Sequence, residues 1–267
     1  MKVAVIQLNA TSNKKKNLAK AIRLVKRATR NKAKLICLPE VFNYRGGLDK
    51  KVFQREAIES IPGESTKPFL KIARAKKIFI LAGSVCERSP IKGKAYNTSV
   101  LIDEKGRIIA KYRKQHLFAA RIGRRNAREP EFFVAGKTAS MARIKGFQAG
   151  LSICYDLRFP EIYQQYAKKK CHLIFVPSAF TKKTGEAHWE VLLRSRAIEN
   201  HVFIIAPNQV GRNASGILSY GNSMIVDPWG TILAKASPKR EEIIYAQINK
   251  KKIEEIKNIF AKGKREN

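Results

Sequence analysis

The sequence predicts an α/β fold with sheets inside and helices outside. Segments with the alternating apolar pattern of strands outnumber segments with helical spacing. Strands and helices also alternate early in each half of the chain, an order typical of helices layered onto sheets. No Pro/Gly/Ser-rich linker or shift in composition divides the 267 residues. We therefore expect a single domain over residues 1–267, with a basic tail from about residue 262.

In the first half, residues 2–8 alternate and are rich in Val and Ile, which predicts a strand. Asn13 is a suitable N-cap for the helix that follows. A further helix is expected at 68–76, and further strands are expected at 35–38, 78–85, 98–102 and 108–112. A long loop is predicted over 113–137, and its length favours a functional role.

The second half repeats this alternation of strands and helices. Strands are predicted at 141–144, 148–154, 173–176, 202–206 and 242–248. Helices are predicted at 161–168, 189–200 and 253–260. The segment 227–230 (DPWG) has the composition of a turn between two strands. Trp189 and Trp229 are expected to anchor the core.

The net charge of +33 is unusual, since 54 Lys and Arg face only 21 Asp and Glu. Such a balance favours contact with polyanions, so a nucleic-acid-binding protein is an alternative interpretation. However, the basic residues are spread over the predicted surfaces, and the sequence has no zinc finger, basic zipper or aromatic-rich RNA-binding motif. We therefore expect nucleic-acid contact to be non-specific at most.

The remaining bulk features predict a cytoplasmic protein. The sequence enters a strand pattern directly after Met1, and no apolar run reaches the length of a membrane span. Four cysteines in a chain of this length do not form a disulfide framework. No metal-binding spacing such as CxxC or HExxH occurs, and no glycine-rich phosphate loop is present. No cofactor, metal or membrane contact is expected.

Cys154 is the first candidate for chemistry. An apolar run ends at this residue, and Pro160 and Glu161 mark the start of a helix a few residues later. A cysteine at the end of a strand presents its sulfur beside free backbone N–H groups, as a thiol nucleophile requires. The alternative is that Cys154 is a small buried apolar residue, the commonest role of a free cysteine.

Two further residues fit a thiol hydrolase, which needs a base for the thiol and a cation for the oxyanion. Glu40 follows a buried strand, where partial desolvation makes a carboxylate a stronger base. Lys114 stands at the end of a hairpin strand, although one lysine among so many is usually an ordinary surface residue. A thiol-protease pairing of cysteine with histidine lacks a supporting Asn/Asp pattern.

The chain resembles a known family, the nitrilase superfamily of carbon–nitrogen hydrolases, over residues 2–246. Three stretches in the family's order carry the resemblance: 38–40 (LPE), 112–118 (YRKQHLF) and 154–161 (CYDLRFPE). The segments 184–190 (TGEAHWE), 220–223 (YGNS) and 227–230 (DPWG) look most like the branch that hydrolyses omega-amides of 2-oxo acids or deaminated glutathione.

The resemblance implies a four-layer αββα sandwich and a Glu–Lys–Cys triad. In that triad Glu40 would be the general base, Cys154 the nucleophile and Lys114 the oxyanion holder, with help from the Tyr155 backbone N–H. A second family glutamate matches Glu129, with Glu131 as the competing position.

The resemblance also bears on the substrate. Arg158, Phe180 and Thr181 are expected to bind substrate together with Tyr155. For Arg158, geometry leaves two equal alternatives: it grips a substrate carboxylate, or it braces its turn through an ion pair.

The implied activity is amide hydrolysis through a Cys thioester, on a small amide that carries a carboxylate. An N-carbamoyl amine hydrolase or a nitrilase on the same scaffold is the alternative. The family also implies a homodimer or a larger homo-oligomer. The chain departs from its relatives in the loop after Lys114, which contains four arginines: Arg121, Arg124, Arg125 and Arg128. These arginines are expected to border the pocket and attract an anionic substrate; the alternative is that they contact a neighbouring subunit or stay solvated.

Overall fold

A computed structural model describes residues 1–47, 49–122 and 125–261, and their side chains except those of 121–127 and 261. Its strands, in chain order, are β1 (Lys2–Gln7), β2 (Leu35–Cys37), β3 (Phe79–Arg88), β4 (Ala95–Ile102), β5 (Ile108–Arg113), β6 (Ala119–Ile122), β7 (Arg125–Arg128), β8 (Met141–Ile144), β9 (Phe147–Leu151), β10 (Leu173–Phe175), β11 (Phe203–Ala206), β12 (Val210–Arg212), β13 (Leu218–Tyr220), β14 (Met224–Val226), β15 (Ile232–Lys235) and β16 (Glu242–Gln247). The helices are α1 (Lys14–Arg30), α2 (Lys50–Glu56), α3 (Lys67–Lys76), α4 (Pro160–Lys168), α5 (Lys182–Asn200) and α6 (Lys250–Ala261).

Two six-stranded sheets form the centre of the molecule. The first has the order β16-β1-β2-β3-β4-β5, and the second has the order β15-β14-β11-β10-β9-β8. In each sheet three central strands run parallel, namely β1, β2 and β3 in the first and β9, β10 and β11 in the second. The outer strands pair antiparallel.

The sheets pack face to face, and the period of two along each strand decides what each face meets. Val3 and Val5 of β1 point into a core shared with Leu151 and Phe175 of the second sheet. The alternate residue Ile6 points the other way, into the layer beneath the helices. This alternation produces one core between the sheets and another beneath each helical layer.

The helices cover the outer faces. Leu24 of α1 and Phe69 of α3 pack on the first sheet. Tyr163 of α4 and Trp189 of α5 pack on the second. The order of layers is therefore helix, sheet, sheet, helix, which confirms the predicted αββα sandwich. Within the described residues, no helix combines the length and the apolar character that a membrane crossing requires.

Several element predictions need correction. The segment predicted as one long loop, 113–137, contains the hairpin β6–β7 and a short 3₁₀ helix, Glu129–Glu131. Helix α5 begins seven residues earlier than predicted, where Thr181 caps it. Trp229 is 52% exposed instead of anchoring the core, because it lies at the tip of the predicted turn. The predicted basic tail from residue 262 lies outside the described residues.

Candidate active site

Glu40 lies just beyond the carboxyl end of β2 and is buried. Its Oε1 accepts hydrogen bonds from Asn97 Nδ2 at 2.8 Å and Lys114 Nζ at 2.9 Å, while Oε2 accepts from the Ala179 N–H at 2.8 Å. The backbone that leads to Glu40 packs directly against Gly83 of β3. A side chain at position 83 would clash with it, because an added Cβ would lie 1.8 Å from the Leu38 carbonyl oxygen. The carboxylate is thus fixed by donors from three separate segments.

Lys114 follows β5 and is fully buried. Its Nζ lies between two carboxylates, 2.9 Å from Glu40 Oε1 and 2.8 Å from Glu129 Oε1. Burial by itself would lower the pKa of Lys114, but Glu129 and Glu40 outweigh it and raise that pKa well above its ordinary value. Lys114 is therefore a buried ammonium that keeps its charge, held between two carboxylates.

The two candidate glutamates after the hairpin lie in different environments. Glu129 accepts a hydrogen bond from the Phe118 N–H at 2.7 Å, in addition to the contact with Lys114. Burial raises the pKa of Glu129, and Glu40 adds to this rise while Lys114 opposes it. Glu131 points to the surface and pairs with Arg128 at 3.2 Å. The structure therefore brings Glu129, and not Glu131, to Lys114 and Glu40.

Cys154 begins a 3₁₀ turn, Cys154–Arg158, three residues beyond the end of β9. Its φ is +49°, in the left-handed region that a residue with a side chain rarely adopts. Such strain persists only where the surroundings hold the backbone, and its N–H donates to the Pro177 carbonyl at 3.0 Å. Burial, reinforced by Glu40, raises the pKa of the Cys154 thiol well above its ordinary value, although Lys114 opposes the rise. The thiol therefore needs a base to become a nucleophile.

Asp156 holds the turn that contains Cys154. Its buried carboxylate accepts from the Ile153 N–H at 2.9 Å and from the Tyr112 hydroxyl at 2.7 Å. It also accepts from the His116 N–H at 2.9 Å, with His116 Nδ1 at the same distance. These bonds tie the cysteine turn of the second sheet to the strand of the first sheet that leads to Lys114.

Cys154 opens into a pocket of about 210 Å³ between the two sheets' loops. The pocket residues include all the predicted site residues except the fully buried Lys114: Glu40, Glu129, Cys154, Tyr155, Arg158, Phe180 and Thr181. Others that line it are Tyr44, Arg45, Phe53, Asn97, Phe118, Arg128, Phe132, Phe133, Ala179, Thr184 and Ser215. Seven of these lining residues are aromatic, and charged groups stand at a few points, as in small-molecule sites.

Arg158 lies in the pocket with its guanidinium 5.5 Å from the centre of the Phe180 ring and 5.7 Å from that of Tyr155. Its Nη2 lies 3.2 Å from His188 Nδ1. Across the described part of the chain, no carboxylate pairs with Arg158. Of the two roles left open for Arg158, the structure therefore disfavours bracing by an ion pair and leaves the guanidinium available to an anion.

The loop arginines are only partly described. Arg128 lines the pocket and pairs with Glu131, and its side chain is 61% exposed. The side chains of Arg121, Arg124 and Arg125, predicted to border the pocket, lie outside the described residues. Among the residues with described side chains, no group of three or more His, Cys, Asp or Glu is arranged to hold a metal ion.

Comparison with known proteins decides the family. The sequence profile of the carbon–nitrogen hydrolases matches residues 2–258. The chain belongs to the carbon–nitrogen hydrolase family. The prediction of an enzyme that hydrolyses C–N bonds of amides is confirmed at this level, and a nucleic-acid-binding protein is not favoured.

Individual relatives agree with the family assignment. Omega-amidase NIT2 from Homo sapiens is 38% identical over 257 residues, covering 96% of this chain and 91% of the relative. Nit3 from Saccharomyces cerevisiae, a member of branch 10 of the nitrilase superfamily, is 35% identical with a TM-score of 0.86. The match covers 97% of this chain and 93% of Nit3. The C. elegans NitFhit protein is 32% identical with a TM-score of 0.88; this chain is fully covered and spans 65% of NitFhit.

Sequence reasoning missed three parts of the site. Asn97 and the Ala179 N–H fix Glu40, but a strand asparagine and a loop amide give no sequence signal. Arg45 also lines the pocket, and a single arginine in the segment between β2 and α2 gives no sequence signal. Asp156 stands in the stretch after the cysteine, and its charge inside an apolar surrounding was the one available signal.

We predict that Asp156→Asn lowers kcat and destabilises the fold by about 1–3 kcal/mol. The NH₂ group of the asparagine would point at N–H and O–H groups that now donate hydrogen bonds to the carboxylate. Asp227→Asn is a matched control, since Asp227 is also buried and accepts two backbone N–H groups, at 2.8 and 2.9 Å, in a distant turn. Steady-state kinetics and thermal unfolding compare the two. Equal kcat for both variants would contradict a role for Asp156 in positioning Cys154.

Proposed function

We propose that the protein is an amidase that hydrolyses a small carboxylate-bearing amide through a thioester on Cys154. The observation that supports this most is Lys114, buried between Glu40 and Glu129 beside a partly exposed cysteine. Base, cation and thiol meet in one pocket, and these three groups are what thiol-dependent amide hydrolysis requires.

In the first step, Glu40 takes the thiol proton as Cys154 Sγ attacks the amide carbonyl carbon. The carbonyl oxygen becomes an oxyanion, which Lys114 Nζ and the Tyr155 N–H stabilise. Protonated Glu40 then gives its proton to the amide nitrogen, the C–N bond breaks, and ammonia leaves. The product of this step is a thioester.

In the second step, Glu40 removes a proton from water as the water oxygen attacks the thioester carbon. The C–S bond breaks, the thiolate regains a proton, and the carboxylic acid product leaves. Glu129 positions Lys114 and substrate and does not itself exchange protons. Its hydrogen bonds to Lys114 and the Phe118 N–H support this role.

Arg158 is the proposed contact for the substrate carboxylate, with Phe180, Thr181 and Tyr155 forming the wall around it. The relative from Homo sapiens is named an omega-amidase. We therefore favour an omega-amide of a 2-oxo acid, or an amide of the deaminated glutathione type. N-Carbamoyl amines and nitriles are the alternative substrates on the same scaffold.

We further propose a cytoplasmic homodimer or larger homo-oligomer. Free cysteines, three of the four buried, suit a reducing compartment. Large apolar side chains exposed on α5 and near it, among them Val191, Ile198 and Trp229, suit an interface between copies of the chain.

The activity is tested by measuring ammonia release from omega-amides, N-carbamoyl amines and nitriles, each with and without a carboxylate. We expect carboxylate-bearing amides to be the best substrates. Cys154→Ala should abolish turnover without a fall in melting temperature, and intact-mass spectrometry of the wild type should detect the acyl adduct. Normal turnover by Cys154→Ala would refute the nucleophile assignment.

A second prediction separates the two glutamates. Glu129→Gln should lower kcat by about 100-fold or more, because Lys114 would lose one of its two anionic partners and the geometry of the site would change. Glu131→Gln should change kcat by less than about threefold, since it removes only a surface pair worth about 1 kcal/mol or less. Single variants are compared at saturating substrate. The reverse order would move the assignment to Glu131.

A further inference from the structure

Arg45 is a buried cation that the mechanism above does not use. It is 8% exposed and lines the same pocket as Cys154. Its Nη1 is inaccessible to solvent and has no hydrogen-bond partner among the described residues. No ion pair joins it to a carboxylate in the described part of the chain. A buried charge is costly unless it is paired, so this arrangement points to a partner that binds from the pocket.

Arg45 keeps its charge in this position. Burial lowers the pKa of Arg45 to about 10, while Glu40 and Cys154 act in the opposite direction. The guanidinium therefore stays protonated at neutral pH. Arg45 lines the same pocket as Glu40 and Cys154 and has no carboxylate partner among the described residues, whereas the exposed side chain of Arg128 already pairs with Glu131.

The loop after Glu40 offers a second donor beside Arg45. The Tyr44 hydroxyl is buried, has no hydrogen-bond partner among the described residues, and lines the pocket. The Tyr44 ring packs on Gly46, where an added Cβ would lie 2.0 Å from the hydroxyl oxygen. The loop therefore supplies two donors to the same pocket that have no acceptor among the described residues, a combination suited to an anionic ligand.

Arg45 and Arg158 reach the pocket from different sheets. Arg45 follows β2 of the first sheet, whereas Arg158 closes the turn after β9 of the second. Lys114 is already shared by Glu40 and Glu129. Among the described side chains of the pocket, two guanidinium groups, one from each sheet, are thus left without a carboxylate partner and available to ligand groups.

We infer that Arg45, with Tyr44, binds a second anionic group of the substrate, and that the preferred substrate is a dianionic amide. This inference rests on the proposed amidase function and narrows its substrate class. Arg45 is then a specificity-determining residue, and Arg158 binds the first carboxylate.

The kinetic test compares butyramide, which is neutral, glutaramate, which has one carboxylate, and the positional isomers of carboxyglutaramate, which carry a second carboxylate on the chain. We expect the wild type to prefer one dianionic isomer over glutaramate by about tenfold or more in kcat/KM. Arg45→Gln should lower kcat/KM for that isomer by about 100-fold, as the loss of one partner of a buried charge pair does. Its effect on butyramide should be less than about threefold.

Three further variants sharpen the test. Arg107→Gln is the control: it removes an exposed arginine that pairs with Asp103 and does not line the pocket, and it should change each value by less than about threefold. Arg158→Gln should lower kcat/KM for both anionic classes. Arg45→Lys keeps the charge but loses the planar fork, so it should lose part of the preference and serves if Arg45→Gln does not fold.

Equal losses by Arg45→Gln on all three amides would overturn the inference, because Arg45 would then act on Glu40 or Cys154 and not on the substrate. Absence of any preference for a dianionic isomer in the wild type would also overturn it.

A binding experiment tests this inference separately from the proposed function. Calorimetry on Cys154→Ala compares propane-1,2,3-tricarboxylate, the product expected from a dianionic carboxyglutaramate, with glutarate, the product expected from glutaramate. We expect tighter binding of the tricarboxylate, and Arg45→Gln in the same background should abolish that difference. If no amide releases ammonia from the wild type but the binding preference holds, the proposed function fails and the anion site stands. Equal binding of both acids to Cys154→Ala would refute the proposed anion site at Arg45, whatever the outcome for turnover.

Discussion

The buried contact of Lys114 with Glu40 and Glu129 is the interaction on which the site depends. None of these three groups is stable alone in an apolar interior: a lone ammonium would lose its proton, and two adjacent carboxylates would repel. Together they hold one another charged and fixed at 2.8–2.9 Å. The cost of desolvation is offset by donors from Asn97 and the Ala179 N–H, which occupy the rest of Glu40. The site is therefore preorganised before substrate arrives.

The fold supplies this contact because two sheets end at one place. Glu40 leaves the carboxyl end of β2, and Cys154 follows the carboxyl end of β9 in the facing sheet. Asp156 links the two sheets through the Tyr112 hydroxyl and the backbone around Cys154, and so holds a cysteine whose φ of +49° is unfavourable. The hydrogen bonds of Asp156 therefore stabilise the unfavourable backbone conformation of Cys154.

The sequence predicts the layers and the reacting residues well, and the loops poorly. The period of two along β1 and the helical stripe of α1 follow from local sequence, so both elements were found. The meeting of Lys114 with Glu129 depends on the hairpin β6–β7, which was predicted as loop because its alternating residues are mostly arginine and alanine. Arg45 was missed for a similar reason, as the burial of a loop arginine is decided by tertiary packing and leaves no local pattern.

The most direct test of this account is the rate of acylation in Lys114→Arg, measured by rapid quench and intact-mass spectrometry. A guanidinium is planar and larger than an ammonium, so it cannot occupy the space between Glu40 and Glu129 and still reach the oxyanion. The account predicts a loss in acylation rate of about 100-fold or more, as for removal of an oxyanion donor, in a protein that still unfolds cooperatively. Acylation at the wild-type rate would show that the oxyanion is stabilised elsewhere and would contradict the central role of Lys114.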